Sequence, residues 1–362
     1  MSAGLAYALM WVGFAAYLGA VWLAPRLERP AVLGAVGIAV LGFALAPVLL
    51  SHDVYSYVNY ARLGVLHGLD PYLHPPSAEP ADPAFAEVEW TETTSAYGPL
   101  FTLATYPLAW LTVAGAVATL KAAAAASVVA MAALLARLAA WRGEDPRRAA
   151  VFLALNPLVL VHVVGGAHND GPAMLLGMLG VAAVLAARGV AGGIALVAAA
   201  AVKLPAALIA PFALLGARGN APRLLLGAGL ALLAVGAPAF AAFEWNWLDT
   251  LGLAGENQGR TSYMSVPVTA ARLSGLDPEV ARIGALVLFA GLIAHLLAWT
   301  WRGGDWVRAA AWASLGLLLA TSWLLPWFLI WALPLAAISR DRTLQGLVLA
   351  LTAFQLTTRI PI

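Results

Sequence analysis

The stretch YGPLFTLATYPLAWLTVAGAVATLKAAAAASVVAMAALLARLAAW, residues 97–141, decides how this chain is threaded. By length it has room for two membrane-spanning helices, which need about 20 residues each, or for one span preceded by a helix lying flat. Its flanks settle the choice. To the left, residues 51–98 carry Asp53, Asp70, Glu79, Asp82, Glu87, Glu89 and Glu92 against a single cation, Arg62. To the right comes the basic connector WRGEDPRR, residues 141–148. Short basic connectors stay on the cytoplasmic face. The same preference places PRLERP (25–30), Arg188, GARGNAPR (216–223), WRGGDWVR (301–308) and SRDR (339–342) there. Two crossings would strand Arg142, Arg147 and Arg148 outside. A helix over residues 99–114 is therefore expected at the outer interface, with only residues 115–141 crossing and Lys121 snorkelling near the outer end of that span.

The rest of the composition agrees with a membrane chain. Of 362 residues, 62% are hydrophobic and 10% charged, and the mean hydropathy is +0.85. A soluble domain with that balance has too little polar surface to offer water. The expected fold is an all-α polytopic bundle, a single integral-membrane domain over residues 1–362 with about 10–12 transmembrane helices and both termini outside. The outer side would carry a loop over residues 51–114 with interfacial helices, and a second loop over 243–279. The first apolar run, GLAYALMWVGFAAYLGAVWLA (4–24), is too long for a cleavable leader and lacks a basic start. The absence of cysteine excludes disulfides. No internal repeat is apparent. One more irregularity stands out between Arg188 and Arg218, where Lys203-Leu204-Pro205 interrupts a segment short for two spans. Pro205 disfavours helix just before it, so two short helices are expected to meet with Lys203 at the apex.

The polar residues on the expected outer side carry the chemistry. Asp53 follows His52 at the start of DVYSYVNYARLGVL, where an Asp either caps a helix or serves as a working carboxylate. VVGGAHNDGP (163–172) puts His168, Asn169 and Asp170 in a turn after a helix that would begin near Arg148. The bland reading is an Asx-capped turn; the sharper one is a head-group site reached over glycines. Lys203 is costly to bury unless paired or near water, and at a helix break it suits a lipid phosphate. Arg260, in ENQGRTSYMSV of the second loop, is either a solvated charge or an anion contact. His52, His67, His74 and His168 share no helical ligand spacing, and there is no GxGxxG or GxxxxGK pattern to cradle a nucleotide. Neither a metal nor another cofactor is expected, and nothing points to nucleic acid.

HDVYSY (52–57), GLDPY (68–72), YGPL (97–100), NPLVLVHVVGGAHND (156–170), KLP (203–205) and PWFLIWALPLA (326–336) occur in an order that resembles the polyprenol-phosphate-mannose-dependent α-1,6-mannosyltransferases of actinobacteria. These are integral-membrane glycosyltransferases of the GT-C class, and the likeness runs from Ser51 to Ala336. It implies a helical bundle whose first large outer loop carries juxtamembrane helices over a cavity open to the outer leaflet. It implies a catalytic Asp early in that loop, which maps onto Asp53. The donor would be a polyprenyl-phosphate sugar and the acceptor a lipid-linked or cell-envelope glycan. Lys203 and Arg260 would lie near the donor phosphate, assisted by His168 and Asn169. His52, Tyr55, Tyr57, Tyr97 and Asp170 would serve the sugar or acceptor. The resemblance further implies an inverting, metal-independent transfer of a hexose, mannose first among them, at the outer face of a bacterial cytoplasmic membrane. Family members tend to be longer, with more C-terminal helices. Two alternatives stay open: a related transferase using another polyprenyl-phosphate sugar or a protein acceptor, and a lipid-linked-sugar flippase or secondary transporter.

Overall fold

The computed structural model describes residues 3–260, 262 and 264–358, and all its regular elements there are helical. In chain order the helices are α1 (Ala3–Leu23), α2 (Arg29–Leu45), α3 (Asp53–Leu66), α4 (Pro99–Thr105), α5 (Val113–Arg142), α6 (Pro146–Ala154), α7 (Asp170–Leu185) and α8 (Gly189–Val202). There follow α9 (Ile209–Gly216), α10 (Ala221–Phe243), α11 (Asp249–Gly259), α12 (Val266–Ser274), α13 (Pro278–Trp301), α14 (Trp306–Ala320), α15 (Leu333–Ala337) and α16 (Arg342–Thr358).

The deciding stretch holds a single helix long and apolar enough to cross a membrane. Short α4 and a 3-10 segment, Tyr106–Trp110, lead into the single 30-residue helix α5. Thr112 starts α5 by accepting from the Gly115 N–H, and Gly143 ends it in the left-handed conformation that a residue without Cβ adopts freely. Lys121 differs from expectation. It is buried, and its ammonium does not snorkel but donates to the backbone carbonyls of Ala46 and, at 3.1 Å, Pro47. Those carbonyls are left over where α2 stops, so the lysine satisfies orphan acceptors while fixing the linker into α3.

Among the described residues four helical segments are long and apolar enough to cross a membrane: Ala8–Arg26, Val113–Arg142, Arg218–Phe243 and Pro278–Trp301. Shorter apolar helices of 10–17 residues accompany them. Apolar windows that the sequence presents as full spans are thus broken inside the bundle, for identifiable reasons. Lys203 is extended (φ −152°, ψ 121°) between α8 and a 3-10 turn that opens on Leu204-Pro205, as expected. The helix expected from Arg148 to Gly165 is not continuous. Pro157 lacks an N–H, α6 stops at Ala154, and the chain resumes as a widened π turn over Val159–Val164. The expectation that both termini face outside concerns residues 1–2 and 359–362, which lie outside the described residues.

The charge map holds in three dimensions. Arg142 pairs with Asp305 and donates to the Ile338 carbonyl at 2.6 Å. Arg308 meets Asp341 at 2.7 Å, Arg342 meets Glu144 at 3.1 Å, and Arg147 reaches the Leu27 carbonyl at 2.8 Å. Connectors far apart in sequence thereby gather at one end of the bundle. At the other end, Asp70 of the first loop accepts from Asn246 of the second at 2.9 Å. Asp70 also accepts from the Tyr72 N–H, so the DPY segment is a local turn. The main apolar core joins α1, α2, α5–α7 and α14–α16, while a second cluster around Val54, Tyr57, Phe101, Val117 and Ala167 docks the first loop on it. Exposed apolar side chains such as Val280, Ile283, Val287 and Leu288 cover α13, as a lipid-facing helix requires.

Two contacts fix the first loop and are testable. The Gly98 N–H donates to the Val202 carbonyl at 3.2 Å, and a Cβ there would lie 2.1 Å from the Ala201 carbonyl oxygen. Gly98→Ala is expected to lower thermal stability in detergent by about 1–3 kcal/mol, whereas Gly284→Ala, at a helical glycine with open space around its Cβ position, separates general glycine loss from crowding. The Arg62 guanidinium binds both Asp82 oxygens at 2.9 Å and the Ala109 carbonyl at 3.2 Å, while His67 Nε2 lies 2.8 Å from Asp82. Burial pushes the Asp82 carboxyl up, but His67, Arg62 and the Ala84 N–H outweigh it and hold it below the usual carboxylate range. A depressed folded value means its contribution is present above the ordinary Asp value, about 3.9, and is lost as pH falls through the lower folded value. Proteolysis of residues 76–95 is therefore expected to accelerate in that acid window, and in Asp82→Asn at neutral pH as well.

Candidate active site

Where the first loop, the α8 break and the 321–331 segment converge there is a cavity of about 850 Å³. Its wall is mostly apolar and aromatic, with Asp53, Lys203 and Arg260 among its charged members. That size and lining suit an amphipathic ligand.

Asp53 opens α3, yet its side chain caps nothing: no capping hydrogen bond forms at this helix start. Trp90 Nε1–H donates to Oδ1 at 3.2 Å, and His168 Nε2 faces Oδ2 at 3.5 Å. The residue is only 8% exposed. Burial alone pushes its carboxyl up, but the nearby His168 ring, the field of Lys203 and the Trp90 N–H hold it below the usual carboxylate range. It is thus an ionised carboxylate at a cavity wall.

His168 is positioned by the broken helix. Its Nδ1–H donates to the His162 carbonyl, presented by the π turn, at 2.7 Å, and its ring stacks on Trp327 at 3.9 Å. Gly166 makes room: a Cβ there would sit 2.9 Å from the ring. Asp170, the first residue of α7, is fully buried and likewise caps nothing. Its Oδ2 accepts from Lys203 Nζ at 2.6 Å and its Oδ1 from Trp331 Nε1 at 2.7 Å. Asn169 Oδ1 accepts from the same ammonium at 3.1 Å. Lys203 lies over the rings of Tyr97 and Phe328 at 5.8 and 5.6 Å. Arg260, exposed, sets its guanidinium 5.6 and 5.7 Å from the rings of Trp90 and Trp323. The second loop thereby reaches the tryptophan that holds Asp53.

Of the residues singled out in the sequence, Asp53, Lys203, Arg260 and Tyr97 line the cavity. His168, Asn169 and Asp170 stand behind its wall, gripping Asp53 and Lys203 from below rather than presenting themselves to a ligand. Tyr57 is buried against Tyr97 and Phe101, with ring centroids 4.7 and 5.0 Å away. His52 and Tyr55 pack edge to face on one another, and His52 Nδ1 lies 3.2 Å from the Glu87 carbonyl. Neither lines the cavity. Trp90, Trp323, Trp327 and Trp331 were not singled out. Their indoles give no sequence signal beyond membrane-interface aromatics, although three belong to or adjoin PWFLIW. Among the described residues no three His, Asp or Glu side chains gather as a metal site would.

The Lys203–Asp170 pair yields a stability prediction. Lys203→Met leaves the Asp170 carboxylate buried with only Trp331 to answer it and is expected to cost about 3–5 kcal/mol of stability. The double variant Lys203→Met with Asp170→Asn removes the orphaned charge and is expected to recover part of that loss in thermal unfolding.

Asp53, His168 and Lys203 fall in the part of the chain that a family model matches. A family model described as alpha-(1->6)-mannopyranosyltransferase, N-terminal domain, matches residues 1–218, which include α1–α8 and every helix start just described. Alpha-(1->6)-mannopyranosyltransferase A of Mycobacterium tuberculosis is 32% identical over 81% of this chain and 63% of its own length. The protein of that name from Corynebacterium glutamicum is 30% identical over 58% of this chain and 46% of its own length. A probable alpha-(1->6)-mannopyranosyltransferase of Mycolicibacterium smegmatis is 28% identical over 85% and 65%. The chain thus spans about half to two thirds of the curated relatives it matches. No solved structure matches it. With more than half of its residues, Asp53, His168 and Lys203 among them, inside the matched domain, the chain belongs to the alpha-(1->6)-mannopyranosyltransferase family.

Proposed function

We propose that the protein transfers a mannosyl residue from a polyprenyl-phosphate donor to a hydroxyl of a lipid-linked or cell-envelope glycan, with Asp53 as general base. The observation that carries this is an ionised, nearly buried carboxylate at the wall of a cavity that also presents Lys203, Arg260 and aromatic rings. In the reaction the acceptor oxygen bonds to the anomeric carbon and its proton passes to Asp53. The bond from that carbon to the phosphate oxygen breaks, and its electron pair leaves with the polyprenyl phosphate. Attack and departure on opposite faces invert the centre, giving an α-linked product from a β-linked donor.

The chain's cations serve the leaving group. Arg260, held between two tryptophans on an exposed loop, is placed to close on a phosphate. Lys203 presents its ammonium through the cavity wall while Asp170 and Asn169 hold it from behind. Fixed cations of this kind can stabilise developing phosphate charge without a divalent ion. The apolar part of the wall, including Val197, Leu232, Val235 and Leu317, suits the first isoprene units of the donor. The cavity opens, in this reading, on the outer leaflet of a bacterial cytoplasmic membrane, because the basic connectors all lie at the other end.

Purified protein supplied with polyprenyl-phosphate mannose and a glycan acceptor is expected to form an α-1,6 linkage, read by linkage analysis, and to do so in the presence of EDTA. Asp53→Asn is expected to lower the rate by about 10²–10⁴-fold while the protein still folds and binds the donor. Arg260→Ala is expected to raise KM for the donor more than it lowers kcat. Movement of an intact lipid-linked sugar across vesicles with no release of polyprenyl phosphate, or near-normal transfer by Asp53→Asn, would overturn the proposal.

A further inference from the structure

The tautomer of His168 follows from what its ring faces. Nδ1 lies 2.7 Å from a carbonyl oxygen, which can only accept, so Nδ1 carries a proton. Were that the ring's only proton, Nε2 would be a bare lone pair 3.5 Å from Asp53 Oδ2, buried and without a hydrogen-bond partner. Two acceptors would then oppose one another around a fully buried ring. Neither is free to turn aside. Trp327 stacks on the ring at an interplanar angle of 29°, Gly166 backs it, and Trp90 holds the other oxygen of the carboxylate. One further proton between Nε2 and Oδ2 removes the conflict.

We infer that Asp53 and His168 form a unit that already holds one shared proton before an acceptor arrives, as an imidazolium facing a carboxylate, with His168 the positioning residue. This rests on the reading of Asp53 as the base. Its consequence is a balance of charge through the reaction. The donor phosphodiester carries one negative charge; the phosphate monoester that leaves carries two. Over the same step Asp53 takes the acceptor's proton, and the pair goes from net neutral to one positive charge. The cavity therefore gains no net charge as the bond to the sugar breaks, which matters where little water is present to screen it. The imidazolium also keeps a buried carboxylate ionised when burial alone would protonate it.

Other groups face the pair. Lys203 does so from the α8 break, already matched to Asp170, and Arg260 from beyond Trp90. His162 lies on the π turn beneath, with its own ring 5.8 Å from Trp327. The hydroxyls of Tyr57, Tyr60 and Tyr97 complete the set; burial, and after it the charge of Asp53, pushes all three phenols well above their ordinary range, so they stay neutral in acid.

The test is the pH dependence of kcat/KM for wild type and His168→Gln. Glutamine keeps a side-chain amide in place of the ring but carries no positive charge. Its loss raises the Asp53 carboxyl, so the acid limb of the profile is expected to move up by roughly 1–3 pH units. A limb at the wild-type position with only a lower plateau would mean that the ring merely packs, and would overturn the inference. Nitrogen-15 NMR of histidine-labelled wild type and Asp53→Asn supplies a readout independent of how the glutamine variant folds. His168 is expected to be doubly protonated near neutral pH in wild type and singly protonated in Asp53→Asn. A neutral His168 in wild type defeats the shared proton whatever the activity. An active Asp53→Asn variant defeats the base assignment instead, and the NMR still decides whether the proton is shared.

Discussion

A carboxylate whose side chain is only 11% exposed must be answered by charge and hydrogen bonds, and the outer half of this molecule is arranged around answering Asp53. Each partner recruits a different part of the chain. Trp90 comes from the acidic first loop, His168 from the turn into α7, and the ring beneath His168 from the 321–331 segment. His168 in turn donates to the His162 carbonyl, which also accepts from the Gly166 N–H at 3.0 Å, so one oxygen of the π turn over Val159–Val164 takes both. Breaks that look like interruptions of membrane spans are therefore what bring polar groups to one place.

The second buried charge obeys the same rule. Asp170 sits two residues beyond His168, yet its oxygens are taken by Lys203 and Trp331. Two acid–base pairs thus lie side by side, Asp53 with His168 and Asp170 with Lys203. The first exposes its acid to the cavity and hides its base; the second does the reverse. Beside Glu89 and Arg260 on the wall, a ligand in the cavity meets one carboxylate and one ammonium from these pairs. Their buried partners fix the protonation and direction of each. That division suits a reaction in which one group takes a proton and another faces a phosphate. It also explains why a lysine in an apolar segment is tolerated at a helix break.

Much of the threading was legible in the sequence because charge placement in a membrane protein is a strong constraint. The basic connectors do meet at one end, residues 113–142 do form one long helix, and the chain does break at Lys203. Asp53 was legible as a carboxylate at a helix start, but not as one that caps nothing. That distinction depends on Trp90 and His168, 37 and 115 residues away along the chain, as distances in space rather than in sequence. The tryptophans were missed because an interfacial indole is common in any membrane chain, and its N–H shows no pattern that names its acceptor. Lys121 was misjudged for a related reason. A cation near a helix end has two outlets, water or orphaned carbonyls, and only packing decides between them. For His168, Asn169 and Asp170 the sequence leaves an Asx-capped turn and a head-group site open, and the fold turns the three toward Asp53 and Lys203.

What remains is whether the acceptor meets Asp53 from the side opposite the phosphate. The most direct measurement is a structure of the full chain with a non-transferable polyprenyl-phosphonate mannose analogue and an acceptor. An acceptor hydroxyl within about 2.6–3.2 Å of Asp53, with the phosphonate on the far face of the sugar against Lys203 and Arg260, is the predicted result. A phosphonate seated on the Asp53 side, or an acceptor hydroxyl whose nearest base is another residue, would contradict the account.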